Sequence, residues 1–305
     1  DLGHYTETTI FNTDGSTTTT VEGTYNGERF NSSYTDTVRE DETTKEKIVT
    51  RTYEGAVLGD GNIPVGAMWN EGTSVVIKGN EETWSEGSGY YVVHGEGETF
   101  EYEGQTYTWI AGTKEVMLFD NTGKVDPEKI QYSSDTGEAG YYREGEYKDG
   151  EKDLGHYTET TIFNTDGSTT TRVEGMYNGK QFSSSYTDTV REDETTEEKI
   201  VTRTYEGAVL GDGNIPVGAI WNEGTSVVVK GSEETWSEGS GYYVVHGEGD
   251  TLEYNGQTYT WIAGTKEVIL FDSTGKTKET QYSNETGKEA GFYRTGEFVD
   301  NGETV

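Results

Sequence analysis

The sequence predicts an all-β protein made of two tandem antiparallel β-sandwich-like domains, with an antiparallel β-barrel as the alternative closure. Three observations carry this. Residues 1–124 return without a gap as residues 153–276, with 14 differences, so the chain is a doubled unit. Helix periodicity is scarce, while Thr, Tyr, Val and Ile dominate the periodic stretches, the residues that fit a pleated surface. Turn signals rich in Gly, Asn and Asp then punctuate about nine or ten short strands per repeat, at sandwich-like spacing.

Taken in order, His4–Asn12 alternates polar and larger residues and reads as a strand. Thr13-Asp14-Gly15-Ser16 is a turn, and Thr17–Tyr25 follows as a second strand. Asn26-Gly27 signals a hairpin, because a type I′ turn needs two residues that tolerate positive φ. Glu28–Val38 is the third strand, Arg39–Glu46 a charged connection, and Lys47–Leu58 the fourth. Glu7, Glu22, Asp36 and Arg51 in these strands are expected to discourage edge-to-edge aggregation. Ser74–Lys78, Tyr90–His94 and Glu115–Phe119 are continuous apolar runs, expected at sheet centres or covered on both faces. Glu98–Tyr102 and Gln105–Ala111 flank Glu103-Gly104, a hairpin whose second copy reads Asn255-Gly256. Tyr141–Tyr147 closes the repeat. Domain boundaries of 1–152 and 153–305 follow, joined by the short segment Lys148–Gly155. The closing Asp300-Asn301-Gly302-Glu303 matches the phase of Asp149-Gly150-Glu151, so further copies are expected beside these two.

A net charge of -34 argues against a nucleic-acid partner, since binding phosphates needs a positive field. No apolar run approaches the roughly 20 residues that span a bilayer, so direct membrane insertion is not expected. Hydrophobic residues make up only 30% of the chain, yet 22 Tyr, 9 Phe and 6 Trp distinguish it from a disordered one. There is no cysteine, hence no disulfide framework.

Three loop types place carboxylate or amide oxygens beside glycine, as a calcium loop requires. The candidate ligands are Asn12 and Asp14, Asp60 and Asn62, and Asp120, with Asn164, Asp166, Asp212, Asn214 and Asp272 in the second copy. Ordinary turns use the same residues, and none has the spacing of an EF-hand. Trp69, Trp84 and Trp109, with Tyr90, Tyr91, Tyr102 and Tyr107, could stack on sugar rings or fill the core. His4, His94, His156 and His246 show no zinc or nucleophile spacing, and no P-loop or nucleophile elbow is present. Carboxylate pairs of the kind a glycosidase uses are plentiful, so a hydrolase with duplicated catalytic domains is a third reading, although no catalytic motif supports it. Lys47, Lys78 and Lys114 lie in or near strands, where an isopeptide crosslink or solvated stems are the readings.

The turn-strand stretch Asn12-Thr13-Asp14-Gly15-Ser16-Thr17-Thr18-Thr19-Thr20, set in acidic cysteine-free repeats, resembles the tandem-repeat regions of giant bacterial adhesins secreted by the type I route. The resemblance implies extracellular display at a cell surface and calcium that stiffens the array. It also implies a non-catalytic structural extender, projecting a binding domain from the cell, with neighbouring repeats in the same chain as its partners. Nonapeptide calcium repeats of such proteins are missing; Gly59-Asp60-Gly61-Asn62 is only a fragment of one. The alternative is a tandem carbohydrate-binding module, with surface glycans as partners and avidity from the doubling.

Overall fold

In the computed structural model, residues 3–58, 63–64, 66–210, 215–216, 218–296, 299–300 and 303–304 are described. Among them the protein is all β, with antiparallel sheets throughout and one short 3-10 turn, Pro127–Lys129. The chain divides into two compact units, Asp1–Tyr141 and Tyr142–Val305.

The first unit contains β1 (Gly3–Phe11), β2 (Thr17–Tyr25), β3 (Glu28–Glu40), β4 (Lys47–Gly55), β5 (Met68–Trp69), β6 (Ser74–Lys78) and β7 (Glu81–Trp84). It continues through β8 (Gly89–Val93), β9 (Thr99–Tyr102), β10 (Gln105–Trp109), β11 (Thr113–Leu118) and β12 (Gln131–Ser134). The division between units falls inside β13 (Ala139–Asp149). One sheet has the order β1-β2-β3-β4-β6-β7 and a second β12-β11-β8-β5, both open rather than closed into a barrel. The turn chemistry explains the hairpins: Asn26 and Gly27 have φ of 49° and 89°, the double positive φ of the predicted tight turn.

The two sheets meet sandwich-fashion through aromatic rings. Tyr53 of β4 lies 4.7 Å from Trp69 of β5 and 5.8 Å, stacked, from Trp84 of β7. Phe119 closes edge-on against Trp84 at 5.0 Å, over a core of Val57, Ala67 and Tyr90. Beside other buried apolar side chains such as Val21, Ile48 and Val75, the interior holds paired hydroxyls. Thr73 is fully buried; its Oγ1 donates to the Gly89 carbonyl at 2.9 Å and accepts from the Gly89 N–H at 3.1 Å. Thr113 does the same with Gly140, at 3.2 and 2.9 Å. These hydroxyls stand in for rungs of a backbone ladder, which is how so polar a chain closes its interior.

The second unit repeats the plan. Its strands are β14 (Lys152–Phe163), β15 (Thr169–Tyr177), β16 (Lys180–Glu192), β17 (Lys199–Gly207), β18 (Ile220–Trp221), β19 (Ser226–Lys230) and β20 (Glu233–Trp236). Then come β21 (Gly241–Val245), β22 (Thr251–Tyr254), β23 (Gln257–Trp261), β24 (Thr265–Phe271), β25 (Thr277–Asn284) and β26 (Phe292–Tyr293). The hairpin β27 (Val299–Asp300) and β28 (Glu303–Thr304) comes last. Strands β14-β15-β16-β17-β19-β20 match the large sheet of the first unit and β18-β21-β24-β25 the small one, while β22-β23-β26 form a third sheet.

Two readings of the sequence need correction. Arg39 belongs to β3, whose hairpin to β4 pairs Arg39 with Ile48; the connection is only Asp41–Glu46. Asp36 and Arg51 do not protect an edge. They sit opposite each other on the interior strands β3 and β4, joined by two bonds of 2.7 and 2.8 Å. The Arg51 guanidinium also lies 4.2 Å from the Tyr34 ring, and the carboxylate raises its already high pKa further.

Candidate functional site

Asn12 and Asp14 meet within a single turn. Asn12 Nδ2 donates to Ser16 Oγ at 2.9 Å and Thr18 Oγ1 at 3.0 Å. Asp14 Oδ1 accepts from the Ser16 N–H at 3.0 Å and its hydroxyl at 2.7 Å, and these bonds lower its pKa. Asn164 and Asp166 repeat this geometry with Ser168 and Thr170. Asp120 Oδ1 gathers the Thr122 N–H and hydroxyl and the Lys124 N–H, at 2.8, 2.7 and 3.1 Å; Asp272 does so with Thr274 and Lys276. Each turn thus spends one carboxylate oxygen on its own loop, as an Asx-turn does. Asp60, Asn62, Asp212 and Asn214 lie outside the described residues. Among the described residues no three acidic or histidine side chains gather as a cation would need.

The tryptophans are packed against other rings and do not form a strip. Trp109 is buried, and Phe100 and Tyr141 lie 4.7 and 5.8 Å from it. Trp69 and Trp84 are half-buried in the aromatic stack already described, with Trp84 laid so closely over Gly123 that a Cβ there would come within 2.4 Å of its indole nitrogen.

A further polar constellation, around His94, is not visible in the sequence. His94 lies flat on Trp109, 4.0 Å apart and 3° from parallel. Its Nε2 is 3.1 Å from Glu115 Oε2 and its Nδ1 3.1 Å from Glu98 Oε2. The Tyr132 hydroxyl donates to Glu115 Oε1 at 3.4 Å; burial, then the Glu115 charge, pushes that phenol up to about 12. Both imidazole nitrogens face carboxylates, and the arrangement works as a clamp that ties the segment after β8 to β11 and β12. His246, Glu267, Trp261 and Tyr282 repeat it, the ring stack at 3.9 Å and the Nε2 contact at 3.2 Å. Asp250 replaces Glu98 and turns instead to the Gly247 N–H at 2.7 Å. Sequence alone could not find this cluster, because Glu115 is 21 residues from its histidine and Tyr132 lies on another strand.

Two of the strand lysines, Lys78 and Lys114, make surface ion pairs. Lys78 Nζ reaches Asp41 at 3.3 Å and Glu46 at 3.5 Å, and Lys114 reaches Asp135 at 3.1 Å. An open cleft of about 620 Å³ lies on the second unit, lined by His156, Glu174, Met176, Gln181 and Phe182 among others. No helix of the described residues is long and apolar enough to cross a membrane. Compared with family models, with curated proteins and with solved structures, the chain matches none.

Proposed function

We propose that this chain is a non-catalytic structural extender, a tandem repeat of a secreted bacterial surface adhesin that projects a binding domain from the cell. What supports the reading is that the chemistry-bearing side chains are consumed internally. His94 is clamped by Glu98 and Glu115, Asp36 by Arg51, and Asp14 and Asp120 by their own turns. The doubling of one autonomous-looking unit supplies length without needing a reactive site. Calcium enters the proposal as a stiffener of the Asp-bearing loops, and a melting temperature lowered by EDTA would support it.

Single-molecule stretching tests the extender role. Two independent units of load-bearing repeat should unfold in two events, each releasing about 50 nm of chain at ~3.5 Å per residue. One merged event, or unfolding without measurable force, would refute it. A second reading, a tandem carbohydrate-binding module, draws on the cleft around His156 and Phe182. Binding on a glycan array, lost on Phe182→Ala, would favour it over the extender.

A further inference from the structure

Five of the 14 differences between the repeats fall in 12 of the 124 aligned positions, 20–31 against 172–183. In the second unit those positions form the hairpin of β15 and β16. Three of the five, Met176, Gln181 and Ser183, line the open cleft of that unit. The first repeat carries Thr24, Arg29 and Asn31 there. The other two changes lie outside the lining: Arg172 is four residues from Met176 along β15, and Lys180 pairs with Tyr177, on the opposite face of the hairpin.

The exchange of Thr24 for Met176 changes what the neighbouring histidine does. In the first repeat the Thr24 hydroxyl lies 3.3 Å from His4 Nδ1, and the two residues pair directly. In the second, Met176 takes that place, and the exposed His156 imidazole has no hydrogen bond, ion pair or ring contact among the described residues. Met176 pairs with Gln181 on β16 and stands one step beyond the Tyr157–Gly175 pair on β14. Imidazole, thioether and amide therefore form one row across three strands, where facing Cβ atoms stand ~4.5–5.5 Å apart. Gln181 in place of Arg29 also takes a fixed positive charge out of this row and puts a carbonyl oxygen there. Glu174, two residues along β15, adds a carboxylate to the cleft wall, and its Oε1 accepts from the Ser183 hydroxyl at 3.2 Å.

We propose that this cleft binds a soft monovalent metal ion, cuprous copper, through the His156 imidazole and the Met176 thioether, with the Gln181 carbonyl oxygen as third donor. Thioether sulfur favours cuprous copper, and imidazole suits copper too, whereas calcium and magnesium demand a shell of oxygens. Structural zinc takes four thiolate, imidazole or carboxylate donors, and no three histidine or acidic side chains gather among the described residues. The first repeat lacks the site, since His4 is engaged by Thr24 and Arg29 repels a cation. Neither of the other two methionines has a histidine opposite: Met68 pairs with Tyr91 and Met117 with Tyr90. The site goes beyond the extender role and does not depend on it.

The probe is silver(I), a redox-inert stand-in for cuprous copper, titrated as the nitrate into the full chain in chloride-free neutral buffer and read by calorimetry. One ion per chain is expected, and the His156 ring resonances should shift in NMR spectra as it binds. Met176→Leu keeps the volume and removes the sulfur, and Met176→Thr installs the residue with which the first repeat folds. Each should weaken binding at least ~10-fold. Thr24→Met together with Arg29→Gln should build the site in the first repeat and raise the count to two. No saturable binding, an affinity untouched by Met176→Leu, zinc bound as tightly as silver, or a count that stays at one in the doubly substituted chain would each overturn the proposal. Neither the unfolding events under force nor the glycan array depends on the Met176 sulfur, so these proposals fail separately.

Discussion

The hairpin turn between β9 and β10 is an experiment that the chain has set up on itself. Glu103 and Asn255 occupy the same place in registers that match pair for pair, Tyr102 with Gln105 and Tyr254 with Gln257. Both have a φ of 50°. A side chain in that left-handed region costs ~1–2 kcal/mol, and asparagine recovers part of this because its short amide bonds locally. Exchanging Glu103 for asparagine should therefore stabilise the first unit by ~0.5–1 kcal/mol. At about 150 residues per unit, that corresponds to a rise of ~1–4 °C in Tm. Asn255→Glu should lower the second unit by a similar amount. Differential scanning calorimetry of the full chain reads both, and the reciprocal pair should exchange the order of melting. Removing an acid from a chain of net charge -34 also relieves repulsion, so Glu103→Gln serves as the control. If Gln stabilises as well as Asn, or if Asn brings no rise, the backbone argument is wrong.

Thr73→Val keeps shape but strands the N–H of Gly89, whose carbonyl still accepts from the Asn70 N–H at 3.0 Å, and should cost ~1–3 kcal/mol in a denaturant titration; a neutral result would mean that the hydroxyl bonds contribute nothing. A double-mutant cycle on Asp36→Asn and Arg51→Met should give a coupling of ~1 kcal/mol, modest because Arg51 is 31% exposed, and additive single effects would dismiss the pair. The N–H groups of Thr44 and Thr43, with Lys78, hold the Asp41 carboxyl down at about 2, below its ordinary 3.8. Its stabilisation is therefore present above pH 3.8 and is lost as pH falls towards 2; Asp41→Asn should flatten urea midpoints measured across that window. EDTA should lower the melting temperature by several degrees, as calcium on the Asp-bearing loops requires; an unchanged melt would leave the Asp14 and Asp120 turns held by their own bonds alone and remove calcium from the proposal.

Much of the fold was legible because it is local. Thr17–Tyr25 and Ser74–Lys78 fall where alternation and apolar runs put them, and Asn26-Gly27 adopts the turn its residues dictate. What escaped is non-local or short. Glu81–Trp84 carries two acids and forms a strand because β6 offers it a partner, and Met68–Trp69 is a strand only by pairing with β8. The charge of Asp36 and Arg51 was visible, but their direct opposition depends on the register of β3 and β4. The clamp around His94 joins a loop to residues on two separate strands, which composition cannot align. The Asp-bearing turns look the same in sequence whether their oxygens serve a loop or an ion; one oxygen each of Asp14 and Asp120 bonds its own loop.

The fully buried threonines Thr73, Thr113, Thr225 and Thr265 have a thermodynamic corollary. Wetting hydrocarbon raises heat capacity and wetting polar groups lowers it. An interior knitted partly from hydroxyls should therefore melt with a small heat-capacity increment for its length, giving a stability curve that is broad and flat. Such a unit would also present little greasy surface when it opens, so that one repeat unfolding beside its near-twin has little with which to stick to it.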